Sequence, residues 1–217
     1  MTRKVHIRDN FDAAVNEAAT VLACDGVAIF PTETVYGIGA LALGQEDPAV
    51  QRIYHIKDRP ESMPLPVLIH DISWLDWFAP EAPAYARALA ERYWPGPLTL
   101  IVQVSEEASA LCSTSSDGTI GVRCPRNEYM QALLAKTKVP IYATSANSHG
   151  KPSPKSADEL ESQLYEAADI VIDGGVCVGG VASTVVRCTG VGPEIVRLGE
   201  ITEAELNDAI QQAQGNS

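Results

Sequence analysis

The residues best suited to chemistry in this chain are cations and hydroxyls at short intervals. Lys57-Asp58-Arg59 sets an ammonium two positions from a planar guanidinium, a pairing that suits phosphate oxygens. The pair also lies just past an expected helix end, where cations complement the helix dipole, so alone it fits either role. Ala143-Thr-Ser-Ala-Asn147, followed by Gly150-Lys-Pro-Ser153-Pro154, is a strand running into a turn rich in hydroxyls and an amide. Such a turn is either ordinary Asx and Ser chemistry or a neutral cradle for phosphate or ribose. Pro31-Thr-Glu-Thr-Val-Tyr-Gly37 groups threonines and a tyrosine around one charge at a strand exit, where α/β sheets commonly bind ligands. Arg123, closing Thr119-Ile-Gly-Val-Arg123, and Arg197, in Ile195-Val-Arg-Leu-Gly199, are arginines in apolar strands. An unpaired arginine there is costly, so each must meet a carboxylate or a ligand.

Other chemistries are excluded. Gly37-Ile-Gly39-Ala-Leu-Ala42 fits G-x-G-x-x-A, but no helix is expected at Ala42, and Gly44 and Pro48 soon follow, so a dinucleotide site is rejected. No P-loop motif occurs. His6, His55, His70 and His149 form no H-E-x-x-H and no cluster with cysteine, so no resident metal is expected. Cys24, Cys112, Cys124, Cys177 and Cys188 have no C-x-x-C spacing, and an odd count suits free thiols in a reducing compartment. Lys plus Arg number 16 against 28 Asp plus Glu, a net charge of −12, which rules out holding nucleic acid by overall positive charge. Met1 to Asn10 has no apolar core, and no apolar stretch reaches the ~20 residues of a membrane span. A cytoplasmic protein without membrane association is expected.

The elements that must position these residues alternate along the chain. Helices are expected over Phe11 to Ala23, Pro48 to Ile56, Ala82 to Tyr93 and Asn127 to Lys138. Strands are expected over Val27 to Phe30, Leu65 to Ile69, Leu98 to Val104, Thr119 to Arg123, Ile141 to Thr144, Ile170 to Ile172, Thr184 to Arg187 and Ile195 to Leu198. Ser156-Ala-Asp-Glu159 and Thr202-Glu-Ala-Glu205 have capping-box spacing, so a helix should start at each. Trp74 and Trp77 read as packing on a helix face, and Gln211 to Ser217 as a fraying end. The alternation predicts an α/β fold with helices on a sheet. Asp173-Gly174-Gly175 and Val178-Gly179-Gly180 leave no room for crossover helices between late strands, so the sheet should be mixed. The 217 residues read as one domain, 1–217, with a motif-bearing core at about 26–199 and a C-terminal helix and tail at 200–217.

Taken in order, PTETVYGIGA, Lys57-x-Arg59, Ile120-Gly-Val-Arg123, Ser145-x-Asn147 with Gly150 and Pro152-Ser-Pro, and Ala182-Ser-Thr-Val-Val186 resemble the YrdC-like family. The resemblance runs from about Gly26 to Gly199 and implies a twisted open α/β sheet with a concave ligand-binding face. It implies synthesis of L-threonylcarbamoyladenylate from L-threonine, bicarbonate or carbon dioxide, and ATP with Mg2+, releasing pyrophosphate. The product would pass to a TsaD-type transferase that modifies tRNA adenosine beside the anticodon. The resemblance makes Lys57, Arg59, Ser145 and Asn147 a catalytic tetrad. It sets Arg59, Thr119, Ser145, Ser153 and Arg197 around ATP, and Thr34, Arg123, the backbone of Ala143, and Ser183 around L-threonine. Two positions depart: family members often carry Asn or Lys where Met63 stands, and many carry His where Leu68 stands. His70, two residues on, is expected on the same strand face and could take the histidine's place. The chain keeps the S-x-N signature that a paralogous branch lacks, and is read without the extra C-terminal domain of longer members. A carbamoyl-transfer domain of the hydrogenase-maturation kind would need cysteine pairs and an acylphosphatase segment not found here. An RNA-binding module without synthase activity is the rival reading, and the net charge opposes it. The isolated chain is therefore expected to bind tRNA weakly or not at all.

Overall fold

The computed structural model describes residues 2–215 apart from Gln45, Ser113 and His149. Its elements in chain order are β1 (Arg3–His6), α1 (Phe11–Ala23), β2 (Ala28–Phe30), β3 (Gly37–Leu41), α2 (Pro48–Lys57), β4 (Val67–Leu68), α3 (Ser73–Phe78), α4 (Ala84–Tyr93), β5 (Leu98–Gln103), α5 (Glu106–Leu111), β6 (Thr119–Arg123), α6 (Glu128–Thr137), β7 (Ile141–Ser145), a 3-10 turn (Ala157–Glu159), α7 (Ser162–Ala167), β8 (Ile170–Asp173), β9 (Thr184–Arg187), β10 (Glu194–Arg197) and α8 (Glu203–Gly215). Local chemistry starts the longer helices. Asn10, Asp47 and Asn127 each accept a backbone N–H from the first turn of α1, α2 and α6. Pro48 occupies the first turn of α2, where a missing N–H costs nothing.

The ten strands form one sheet in the order β1-β8-β2-β3-β7-β4-β6-β5-β9-β10. Parallel pairs (β1 with β8, β8 with β2, β4 with β6, β5 with β9) mix with antiparallel ones, so the sheet is mixed as expected. β8 and β9 stand seven strand spacings apart, an arc of roughly 34 Å. The eleven residue steps from Asp173 to Thr184 reach that only near full extension. Gly175 and Gly180 both turn through positive φ, so the loop cannot be fully extended. The sheet must curl, and the loop crosses its hollow side.

Helices α1 and α6 cover part of the concave face, packing Leu22, Met130 and Leu133 on Phe30, Ile141 and Ile170. Helices α2, α4 and α8 bury the opposite face, with Ile53, Leu89 and Leu206 over Ile29, Leu100 and Val186. Trp74 packs edge-on to Trp77 at 5.8 Å in α3, the helix-face role expected of both.

Several expectations change. Gly37 to Leu41 is a buried strand and not a loop, and glycine is required there because a Cβ on Gly39 would lie 2.2 Å from the Tyr142 carbonyl. The polar segment Arg3–His6 joins the sheet as edge strand β1, paired to β8. The Leu65 to Ile69 strand shrinks to Val67–Leu68. Helix α8 extends through Gly215, so the regular structure continues into the segment expected to fray; Asn216 and Ser217 lie outside the described residues. The Thr202 box forms, with Thr202 N–H donating to Glu205 Oε2 at 2.9 Å and starting α8. The Ser156 box does not. Glu159 accepts from Lys155 N–H instead, Ser156 makes no side-chain cap, and only a 3-10 turn results.

Candidate active site

Strand alternation delivers the functional side chains to one face. In β5, Leu98, Leu100 and Val102 enter the core under α4 and α8, while Thr99 and Ile101 face the hollow. β6 does the same with Thr119, Gly121 and Arg123, and β9 with Val185 and Arg187. These residues, with Thr34, Arg59, Ala143, Ser145, Ser183 and Arg197, line a cavity of about 490 Å3. Gly121 keeps its floor open, since a Cβ there would press on Pro66 at 3.1 Å.

The Lys57-Asp58-Arg59 motif works through a left-handed turn. Asp58 ends α2 with φ 48°, and its N–H returns to the Tyr54 and His55 carbonyls. The reversal separates its neighbours. Arg59 reaches the cavity, with Nε donating to the Met63 carbonyl at 3.0 Å and Nη2 to the Pro64 carbonyl at 3.2 Å. Lys57 turns inward and is 5% exposed. Its ammonium donates to the Ser145 carbonyl at 2.6 Å and to the Asn147 carbonyl. Burial and the charge of Arg59 push the Lys57 pKa down from 10.5 to about 8. Lys57 thus ties the end of α2 to the turn after β7. Asn147 is buried beside it, its amide donating to the Ser148 and Lys151 carbonyls. Glu161 holds the same turn through Ser148 N–H and Lys151, which keep its carboxyl down at about 2.

Arg123 is set differently. Its Nε donates to the Gly96 carbonyl at 3.2 Å and its Nη2 to Thr34 Oγ1 at 3.0 Å, while Glu33 Oε1 lies 2.8 Å from Nη2. The carboxylate required by a buried arginine is therefore Glu33. Thr32 donates its hydroxyl proton to the Val35 carbonyl, so Thr34, 2.9 Å away, must donate to Thr32. Thr34 can then only accept from a ligand. Among the described residues Arg197 has no such carboxylate. It donates to the Ser183 carbonyl at 2.9 and 3.2 Å and to Ser183 Oγ at 3.3 Å, and burial, with Arg123 nearby, lowers its pKa.

Of the expected site residues, the cavity gathers Thr34, Arg59, Thr119, Arg123, Ala143, Ser145, Ser183 and Arg197. Ala143 lines it with its N–H committed to the Pro66 carbonyl at 2.9 Å, and proline has no N–H to give the Ala143 carbonyl in return. Lys57, Asn147 and Ser153 are not part of the lining; Ser153 lies half-buried before Pro154. Met63 forms part of the rim and Leu68 part of the wall. His70 does not take over at Leu68. β4 ends at Leu68, and His70 pairs with Asp71 and borders a separate depression with Trp74 and Lys138. Among the described residues, no group of three or more His, Cys, Asp or Glu could hold a metal, and no helix is long and apolar enough to cross a membrane. His149 lies outside the described residues.

Sequence reasoning missed Arg187, Asp117 and the role of Glu33. Asp117 Oδ2 pairs with Arg187 at 2.9 Å, and its Oδ1 accepts from Thr119 at 2.7 Å and from Ser115. The signal for Glu33 was Arg123 itself, an arginine in an apolar strand that had to meet a carboxylate or a ligand.

Comparison with known proteins decides the family. The Sua5/YciO/YrdC family model, described as "Telomere recombination", matches residues 20–199. The chain belongs to this family. It is 39% identical to the threonylcarbamoyl-AMP synthase of Bacillus subtilis over 92% of its own length and 57% of that protein's. It is 38% identical to the synthase of Pyrococcus abyssi over 97% of its length and 61% of that protein's. The chain thus spans about three fifths of these family members. The crystal structure of P. abyssi Sua5 complexed with L-threonine superposes with a TM-score of 0.87 at 37% identity, covering 97% of this chain and 61% of that one. E. coli YciO superposes at 0.79 with 27% identity, covering 95% and 98%.

Proposed function

We propose that this chain synthesises L-threonylcarbamoyladenylate and pyrophosphate from L-threonine, bicarbonate or carbon dioxide, and ATP. The observation that carries the reading is a single cavity in which Thr34, Arg123 and Ser183 adjoin Arg59, Thr119, Ser145 and Arg197. Family members named as synthases, and one solved with L-threonine, support it.

A threonine carbamate is already an anionic nucleophile, so no Ser, Cys or His base is needed. The protein must bring two anions together and stabilise charge at the α-phosphate, which is positioning plus electrostatics. Arg123 and Thr34 would hold the amino acid by its carboxylate and a donor group. Arg59, Arg197 and the hydroxyls of Thr119 and Ser145 would hold the nucleotide. Lys57 and Asn147 would act beneath them by fixing the turn that carries Ser145, and Ser153 would approach the nucleotide from the same loop. Magnesium would arrive on the triphosphate and keep several waters.

In this reading the protein works in the cytoplasm, and a separate TsaD-type transferase takes the product to tRNA. The net charge of −12 repels a polyanion, and the clustered cations face the nucleotide, so tRNA should bind weakly and be displaced by ATP. The test of the reading is pyrophosphate release with each substrate omitted in turn. Release should require both threonine and bicarbonate, with serine poorer because a methyl pocket contributes only ~1–3 kcal/mol. Equal release without threonine would leave a plain nucleotide hydrolase.

A further inference from the structure

Glu33 joins its own segment to two others that meet at the threonine end of the cavity. Its Oε1 pairs with Arg123 Nη2 at 2.8 Å and accepts the Arg126 N–H at 3.0 Å, just past β6. Its carbonyl accepts the Gly179 N–H at 2.9 Å, from the loop that crosses the hollow and leads to Ser183. Its neighbour Thr34 receives the same Nη2. Glu33 itself is not part of the cavity lining. Its second oxygen, Oε2, is buried without a hydrogen-bond partner among the described residues. An orphaned carboxylate oxygen is a cost in stability, so stability alone is a poor reason to place the group there.

The Arg123 fork is consequently fixed along one side. Nε is held by Gly96 and Nη2 by Thr34 and Glu33, while Nη1 has no protein partner among the described residues. We propose that Glu33 is a positioning residue for amino-acid recognition: it holds Arg123 so that Nη1 meets the substrate carboxylate, and it ties that arginine to the loop carrying Ser183. The proposal rests on the functional reading above and adds a residue that acts through Arg123 without touching substrate. Reach, and not charge alone, sets the effect. Aspartate keeps the charge but is one methylene shorter, whereas glutamine keeps an acceptor at the Oε1 position.

Calorimetric titration of the full chain with L-threonine and with ATP tests this. Glu33→Ala and Glu33→Asp should weaken threonine binding at least ~tenfold and ATP binding less than ~threefold, and Glu33→Gln should restore most of the threonine affinity. Adding Glu33→Asp to Arg123→Ala should produce little further loss, because both act on one contact. If Glu33→Ala does not fold, the Asp and Gln variants decide. Threonine binding by Glu33→Asp equal to that of the parent, or equal losses for both ligands, would overturn the proposal alone. A parent chain that binds no threonine would overturn the functional reading and this proposal with it.

Discussion

The two ends of the cavity hold their cations in opposite ways. At the end proposed for threonine, Arg123 rests against the carboxylate of Glu33. At the end proposed for the nucleotide, Arg59, Arg197 and, beneath them, Lys57 rest on carbonyl oxygens, and among the described residues none of the three makes a salt bridge. Carbonyls orient a cation without neutralising it, so this end keeps its charge, as the proposed binding of a triphosphate requires. A paired arginine offers geometry with little net field, which suits one carboxylate on a small ligand. On the proposed function, this difference would let one hollow take two anions and keep each in its own place.

The largest effect should come from removing an uncompensated cation. Arg59→Ala should lower turnover roughly 10²–10³-fold while the thermal transition stays in place. Arg59→Lys should recover little, because a point charge does not replace a fork. Normal kinetics in Arg59→Ala would mean that the residue serves only the helix end. A pH profile sharpens the same contrast. With the Lys57 pKa lowered to about 8, the folded chain sheds this proton before the unfolded chain does. The penalty on stability is therefore full below about pH 8 and relieved as pH rises toward 10.5. The ammonium that pins Ser145 and Asn147 is lost over the same window. Turnover should fall above pH 8 without a matching loss of thermal stability from this group, and Lys57→Arg should flatten that limb. An unchanged alkaline limb in Lys57→Arg would assign it to another group. The smallest effect belongs to Asp117, which pairs with the cavity-lining Arg187 and accepts from Thr119. Its pair with Arg187 is exposed, so Asp117→Asn should change the KM for ATP by less than ~fivefold. A larger loss would show that the nucleotide end also depends on a carboxylate.

Much of this was legible in the sequence, because motif order and strand patterning are local properties. K-x-R, S-x-N and the strand carrying Arg123 could be read directly. What could not be read depends on long-range geometry. The left-handed turn at Asp58 sends Lys57 inward and Arg59 outward, and nothing in Lys57-Asp58-Arg59 announces it. β3 was hidden because Gly37 and Gly39 mimic a phosphate loop, whereas Gly39 is there for close approach to β7. The capping-box spacing occurs at both Ser156 and Thr202, yet Lys155 N–H captures Glu159 at the first, and only the second opens a helix. The apolar strand around Arg123 calls for a carboxylate or a ligand without choosing between them, and only the fold selects Glu33.

The central claim is that the cavity has two separable ends. Titrating Arg59→Ala and Arg123→Ala, each with ATP and with L-threonine, tests it most directly. Arg123→Ala should lose ~2–5 kcal/mol of threonine binding, roughly 30–4,000-fold, and keep its ATP affinity within ~threefold. Arg59→Ala should do the reverse. Losses of both ligands to the same extent in both variants would contradict the account, and a crossed pattern in which Arg123→Ala loses ATP alone would reverse the assignment of the two ends.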